Sequence, residues 1–451
     1  MALGRWIVTH RAIPDISRFY YSGATGFGYD YSWLSQALLF AAYRWVGGSG
    51  PAILNAVVAG FIFYFLYKLL ERNNVNMLVN FAVLCLGLAT ITAYLSGRPA
   101  MFTVAFFTLE LYILSGWTLG EAGAGRRRRN PIWLIPSIVA LWANLHPGFV
   151  VGPLLVLFFM LLCREARDRR ILAACLGTSL VAIAINPYGW RMLAMPFETV
   201  RTLQTLRGLA EWAGVSGWEA VLWGGIVALV TCGLTLRKQP WPILLLAAAT
   251  AIAAGVSSRN MPLFGVVAVF VLGRTLVPVL VLRLGRSGFV RKFDVTFESA
   301  GGWFWAVGIP LALAGAARLG LSPAELEFDF SQYPAAAVRY VEDHGCPDNV
   351  FVRETWSGYL LWAVPDRRLF FDAKGGFSPE AIEAHSQLFK PKAGWRDVVD
   401  SYNISTLLLE PGSPLAVVVS EARDWHLEYA DSLGEVFVRQ PPGMEANSRN
   451  R

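Results

Sequence analysis

Residues 131–163 read PIWLIPSIVALWANLHPGFVVGPLLVLFFMLLC, two uncharged apolar runs (131–144 and 148–163) separated by Leu145-His146-Pro147. A helix must present about 20 apolar residues to cross a bilayer. Each of these runs falls short of that, so the pair reads as tilted bundle helices or as two halves meeting within a membrane. Pro147 and Gly148 break the helix and leave backbone carbonyls and an imidazole at the break.

Working outward, further apolar runs bounded by polar residues lie near 51–70, 76–95, 99–119, 171–187, 218–236, 241–257, 261–283 and 301–320. With the central pair they predict about ten spans. Ser32–Val46 is apolar but short, with Trp33, Tyr43 and Trp45 along it, and reads as a helix lying at the membrane interface. The composition agrees: 55% of the 451 residues are hydrophobic and 16% are charged, against about a quarter charged in a soluble domain. A cytosolic enzyme and a disordered chain are both excluded.

The loops sort by charge. Lys68, Arg72, Arg126–Arg129, Arg164, Arg167, Arg169, Arg170, Arg237, Lys238, Arg283, Arg286, Arg291 and Lys292 fall on one side, and Arg98, Arg191, Arg201, Arg207 and Arg259 on the other. Sixteen basic residues against five place the first set in the cytoplasm. The net charge of +7 therefore reflects topology, and no nucleic-acid partner is expected. The expected home is the inner (plasma) membrane, as a multi-pass protein.

From Ser322 the composition changes to that of a small α/β unit. Helical spacing covers 334–345, 379–389, 393–402 and 414–422; strands are expected at 350–353, 368–371 and 404–409, with a closing hairpin of 425–429 and 435–439. The expected class is thus mainly α: a polytopic transmembrane helix bundle with a small C-terminal α/β soluble domain. Its domains are an outer-face loop with an interfacial helix (1–50), the bundle (51–320), an extracytoplasmic α/β domain (321–442) and a disordered tail (443–451).

No Walker loop, dinucleotide turn, HExxH or GxSxG occurs, and the five histidines and five cysteines show no metal or redox spacing. What remains is a set of polar residues at outer helix ends. Arg98, Arg191 and Arg259 can grip phosphate oxygens, with Asn144, Asn186, Tyr188, Glu211 and Asn260 beside them as candidate substrate-binding groups. His146 can bind phosphate or move a proton. Asp15 and Asp30 are candidate general bases for a glycosyl transfer, or ligands of a metal near the phosphate. Snorkelling arginines and an interfacial aromatic belt are the structural alternatives.

Several of these segments carry a resemblance. Gly4-Arg-Trp-Ile-Val-Thr-His10, Ile13-Pro14 and Trp33-Leu-Ser-Gln36 resemble the first outer loop of bacterial polytopic proteins of the C-type (GT-C) glycosyltransferase superfamily. Arg98-Pro99, Ala143-Asn-Leu-His146, Asn186-Pro-Tyr-Gly189, Glu211-Trp212 and Arg259-Asn-Met-Pro262 resemble that group's recurring outer-end motifs in the same order. Tyr333-Pro334, Trp356-Ser-Gly-Tyr359 and Phe371-Asp372 are similar to its small C-terminal domain.

The resemblance implies an enzyme that takes a sugar from a polyprenyl-phosphate carrier in the membrane lipid and passes it to an envelope glycan, lipid or protein acceptor. The cofactor stays open, with a divalent metal such as Mg2+ or Mn2+ as the candidate. Relatives carry a first span and an acidic residue ahead of the Gly-Arg-Trp segment, whereas this chain begins inside that loop, and Asp15 directly follows Pro14. Three expectations follow: a start further upstream, a carboxylate role passed to Asp15 or Asp30, or an inactive protein. A transporter or flippase of a lipid-linked or anionic solute, and a non-catalytic scaffold, are the competing readings.

Overall fold

The computed structural model describes residues 1–23, 30–72, 76–91, 98–119, 131–197, 214–284, 333–370, 379–391 and 393–440. The chain opens with α1 (Ala2–His10) and α2 (Trp33–Val46). It continues through α3 (Ser49–Glu71), α4 (Met77–Ile91), α5 (Ala100–Thr118), α6 (Ile135–Leu145), α7 (Val151–Leu162), α8 (Ala166–Ala182), α9 (Gly217–Leu236), α10 (Trp241–Val256), α11 (Met261–Arg274) and α12 (Leu276–Leu284). The last part holds α13 (Ala335–Asp343), β1 (Val350–Val352), α14 (Glu354–Ala363), α15 (Pro379–Phe389), α16 (Trp395–Ser401), β2 (Thr406–Leu409), α17 (Pro414–Ser420), β3 (Trp425–Ala430) and β4 (Glu435–Arg439). Two compact units result, one built from residues 42–197 and 214–284, the other from 1–41 and 333–440.

In the helical unit, helix starts follow proline chemistry. Pro136, Pro242 and Pro262 stand in the first turns of α6, α10 and α11, where the missing N–H costs nothing. α11 is apolar on every face and buried along its length except at Leu263 and Arg274. Such a helix belongs in the middle of a bundle, and α11 packs against α3, α4, α5, α9 and α10. Glycine makes these approaches possible. A Cβ on Gly265 would collide with Thr90 of α4, and one on Gly273 would press on Leu70 of α3. In return Gly87 of α4 receives the Val269 side chain, and Gly233 of α9 receives Thr275.

Among the described residues three helices are long and apolar enough to cross a membrane: α3, α5 and α9. A fourth results if α11 and α12, bent by 45° at Thr275, form one span. The remaining apolar runs within the described residues also fall on helices, but α4, α6, α7 and α10 are shorter. The stretch 301–320 lies outside the described residues. α8 begins five residues before the apolar run at 171–187, because Ala166–Arg170 continues its first turns with Asp168 placed favourably near the N-terminus, and it ends ahead of Asn186-Pro187.

In the other unit the sheet order is β1-β2-β4-β3, with β1 and β2 parallel and the remaining pairs antiparallel. β2 is buried on both faces, as a central strand with helices on either side requires. The parallel strand and hairpin follow the sequence pattern, whereas α14 was not anticipated. The strand expected at 368–371 is reduced to Leu369, which bridges Val350 on one side and Tyr20 on the other.

The N-terminal stretch is therefore part of this unit. Tyr21 N–H donates to Leu369 O at 2.9 Å, Leu369 N–H donates to Phe19 O at 2.7 Å, and Ser22 Oγ donates to Phe370 O. Arg5 lies over the Trp362 ring at 4.5 Å and donates to the Trp362 carbonyl at 2.7 Å. α1 meets α2 where Gly4 sits against the Gln36 carbonyl.

Two consequences can be measured. Gly265→Val should lower the detergent-solubilised protein's unfolding midpoint by the equivalent of about 1–3 kcal/mol of overpacking. Gly60→Ala, whose Cβ meets nothing within 4 Å, should leave it unchanged. In the α/β unit, burial among Phe351, Phe370 and Phe389 lowers the His385 pKa to about 4. The unfolded state then binds a proton below pH 6.5 that the folded state refuses until about pH 4. Stability should fall across that window by roughly 3 kcal/mol and then level off. Hydrogen exchange of α15 at pH 7.5 and 4.5 should show the loss, and His385→Leu should remove most of it.

Candidate functional site

The break between α6 and α7 is built from side-chain hydrogen bonds. Trp142 Nε1–H donates to Thr103 Oγ1 at 2.9 Å, and Thr103 Oγ1 stands 2.7 Å from His146 Nδ1. The Gly148 N–H also donates to Nδ1, at 3.0 Å. Two donors converge on one ring nitrogen, which fixes it as the acceptor and puts the proton of the neutral ring on Nε2. Burial, and then the charge of nearby Arg259, lower the His146 pKa. The imidazole is thus a neutral hydrogen-bond donor at physiological pH.

Asn144 and Asn186 act as a buckle. Asn144 Nδ2 donates to Ala140 O at 2.8 Å and Ile185 O at 2.7 Å; Asn186 Nδ2 donates to Ala143 O at 2.9 Å and Asn144 Oδ1 at 3.2 Å. Asn186 Oδ1 accepts from Tyr188 N at 3.0 Å. The bonds to Ala143 O and Ile185 O satisfy carbonyls that the chain beyond the ends of α6 and α8 would otherwise leave without partners. The two amides thereby hold the floor around His146 in place.

Arg259 and Asn260 occupy a short 3-10 turn ahead of α11, and Asn260 Nδ2 donates to Ala253 O at 3.0 Å. Below Asn260 runs an apolar cleft of about 200 Å3. Phe107 of α5, Leu154 and Phe158 of α7, Leu246 and Ala253 of α10, and Asn260 line it. Arg98 is exposed just before α5, five residues or about 8 Å of helix rise from Thr103. Arg191 is exposed on the 3-10 turn Gly189–Leu193.

Asp15 and Asp30 belong to the other unit. Asp15 is exposed and caps a 3-10 turn by accepting from Ser17 N at 3.0 Å. Asp30 is buried, and its Oδ1 accepts from Gln36 Nε2 at 2.6 Å and Ser32 N at 3.2 Å at the start of α2. Glu211 lies outside the described residues. Among the described residues no three His, Cys, Asp or Glu side chains gather as a metal-binding group. They do not form a cradle for Mg2+ or Mn2+, and no step below passes through a metal.

Two groups escaped the sequence reading. Thr103 carried no signal, because a threonine near the start of an apolar helix is ordinary. Glu110 did carry one: it is the one charged residue inside the apolar run 99–119, and an ionisable residue in such a run is a functional candidate. It is fully buried, and neither carboxyl oxygen has a hydrogen-bond partner among the described residues.

No protein-family model matches the chain, and no curated protein matches it.

Thr103→Val keeps the shape but removes both the acceptor for Trp142 and the donor to His146. It should cost about 1–3 kcal/mol and alter the Trp142 fluorescence, whereas Thr103→Ser should retain most of both. Thermal unfolding followed by tryptophan emission checks this.

Proposed function

We propose that the chain is a membrane glycosyltransferase with about ten spans. It takes a sugar from a polyprenyl-phosphate carrier and passes it to an envelope glycan, lipid or protein on the extracytoplasmic face. One observation carries this reading: an apolar cleft among four helices has Asn260 as a polar lining residue, and the adjoining Arg259 acts electrostatically on the neutral donor His146. A lipid chain suits the cleft, and a phosphate suits its polar end. The positive-inside pattern of the loops supports placing that end outside.

In the transfer, the bond between the sugar's anomeric carbon and the carrier phosphate breaks while a bond to the acceptor oxygen forms. Charge grows on the departing phosphate, where Arg259, assisted by Arg98, stabilises it, and His146 Nε2–H donates a hydrogen bond. The proton leaving the acceptor hydroxyl goes to a carboxylate, for which Asp15, Asp30 and Glu211 are the candidates. Tyr188 and Arg191 are assigned to the carrier side, and the C-terminal α/β unit to the acceptor. The resemblance to C-type glycosyltransferases in Arg98-Pro99, Ala143–His146 and Arg259–Pro262 supports the same assignment.

A transporter of a lipid-linked or anionic solute is the second reading, favoured by the buried acid at Glu110. Membranes fed labelled polyprenyl-phosphate sugar separate the two. Arg259→Ala should reduce transfer at least 100-fold with normal expression, the scale of losing a donor to a developing oxyanion, and Arg259→Lys should retain part of it. Transfer unchanged in Arg259→Ala would overturn the enzyme reading and leave a transporter or a scaffold.

A further inference from the structure

The Glu110 carboxyl lies in the interior of the helical unit, against two neighbours. A Cβ placed on Gly152 of α7 would stand 3.0 Å from Oε2, 3.1 Å from Oε1 and 3.1 Å from Cζ3 of Trp142 on α6. Both oxygens therefore rest on the bare Cα of Gly152 beside the indole ring. The side chain is 0% exposed, and neither oxygen meets a hydrogen-bond partner among the described residues.

Charged and titratable groups on the surrounding helices have partners of their own. Cys175 of α8 feels the carboxyl electrostatically, but its Sγ contacts the Ile132 carbonyl. On α3, Lys68 pairs with Glu71, and Arg72, whose guanidinium lies over the Tyr112 ring, donates to Tyr112 O and Ser115 Oγ, two and five residues along α5 from Glu110. On α11, Arg274 donates to Gln239. His146 is bonded to Thr103, which accepts from Trp142, and Arg259 acts electrostatically on His146.

A bare carboxylate in such surroundings is strongly disfavoured. A metal ion needs several ligands and more room than the contact with Gly152 leaves. The cation that fits is a proton. We propose that Glu110 is a proton-binding site of the helix bundle, occupied as the carboxylic acid at neutral pH. The glycine at position 152 gives the acid its space, and the Trp142 ring connects it by packing to the hydrogen bonds that hold His146. This site depends on neither functional reading above.

Infrared difference spectroscopy of the full chain in lipid vesicles tests the proposal. The wild-type minus Glu110→Gln spectrum at neutral pH should contain a carboxylic-acid C=O band that shifts in D2O. A difference spectrum showing only carboxylate stretches would overturn it. Should Glu110→Gln fail to fold, Gly152→Ala serves instead: a methyl pressed on both oxygens should move the acid band, and wild-type and Gly152→Ala spectra identical in that region would equally overturn it. Loss of sugar transfer in Arg259→Ala leaves this band in place, so the two proposals fail separately.

Discussion

The close approach of α11 to its neighbours is the constraint on which the helical unit rests. A helix buried on all sides has no amphipathic seam to orient it, so its register must come from shape. Gly265, Val269 and Gly273 are spaced four residues apart and share one face, where they meet Thr90, Gly87 and Leu70. Small residues at that spacing let backbones approach closely where a hydrocarbon environment removes the usual hydrophobic drive between helices. With α4 held this way, α10 and α5 close around the other side of α11. The apolar cleft is lined by larger side chains of α5, α7 and α10, among them Phe107, Phe158 and Leu246, with Asn260.

Much of this was legible in the sequence because both organising signals are local. Runs such as 99–119 and 218–236 hold a single acid each, Glu110 and Glu219, so their helices could be read directly, and the eight-residue glycine spacing of α11 is visible once the helix is assigned. The hairpin of β3 and β4 was readable for the same reason. The union of residues 1–41 with the C-terminal unit was not. It depends on single hydrogen bonds from Phe19, Tyr21 and Ser22 to Leu369 and Phe370, nearly 350 positions away in the chain. A strand of one bridge leaves no alternating pattern to detect, and α14 is missed because Trp356, Leu360 and Leu361 look as much like a strand as a helix.

The polar residues at helix ends were found, but their division of labour was not. Asn144, Asn186 and His146 look alike in a sequence: polar groups beside proline at the end of an apolar run. Only geometry shows that the two asparagines are consumed in joining α6 to α8, while the imidazole is fixed by Thr103, a residue with no distinguishing context. Glu110 is equally anomalous in the sequence, but it lies mid-helix and not among the polar residues at the helix ends.

The resulting inventory constrains the chemistry. Near the cleft, the described residues supply donors: the Arg259 guanidinium, the His146 Nε2–H and, one and a half turns from Thr103, Arg98. Donors stabilise a departing phosphate but accept no proton. His146 cannot exchange that role for a base, because its one acceptor nitrogen already takes hydrogen bonds from Thr103 and Gly148. Glu110 is sealed against Gly152. On the proposed reading a proton acceptor must lie outside these residues; of the two candidate acids that are described, Asp15 is exposed, whereas Asp30 is buried with its Oδ1 accepting from Gln36. On that reading the described residues of the helical unit supply donors for an anionic leaving group, and the proton acceptor is not among them.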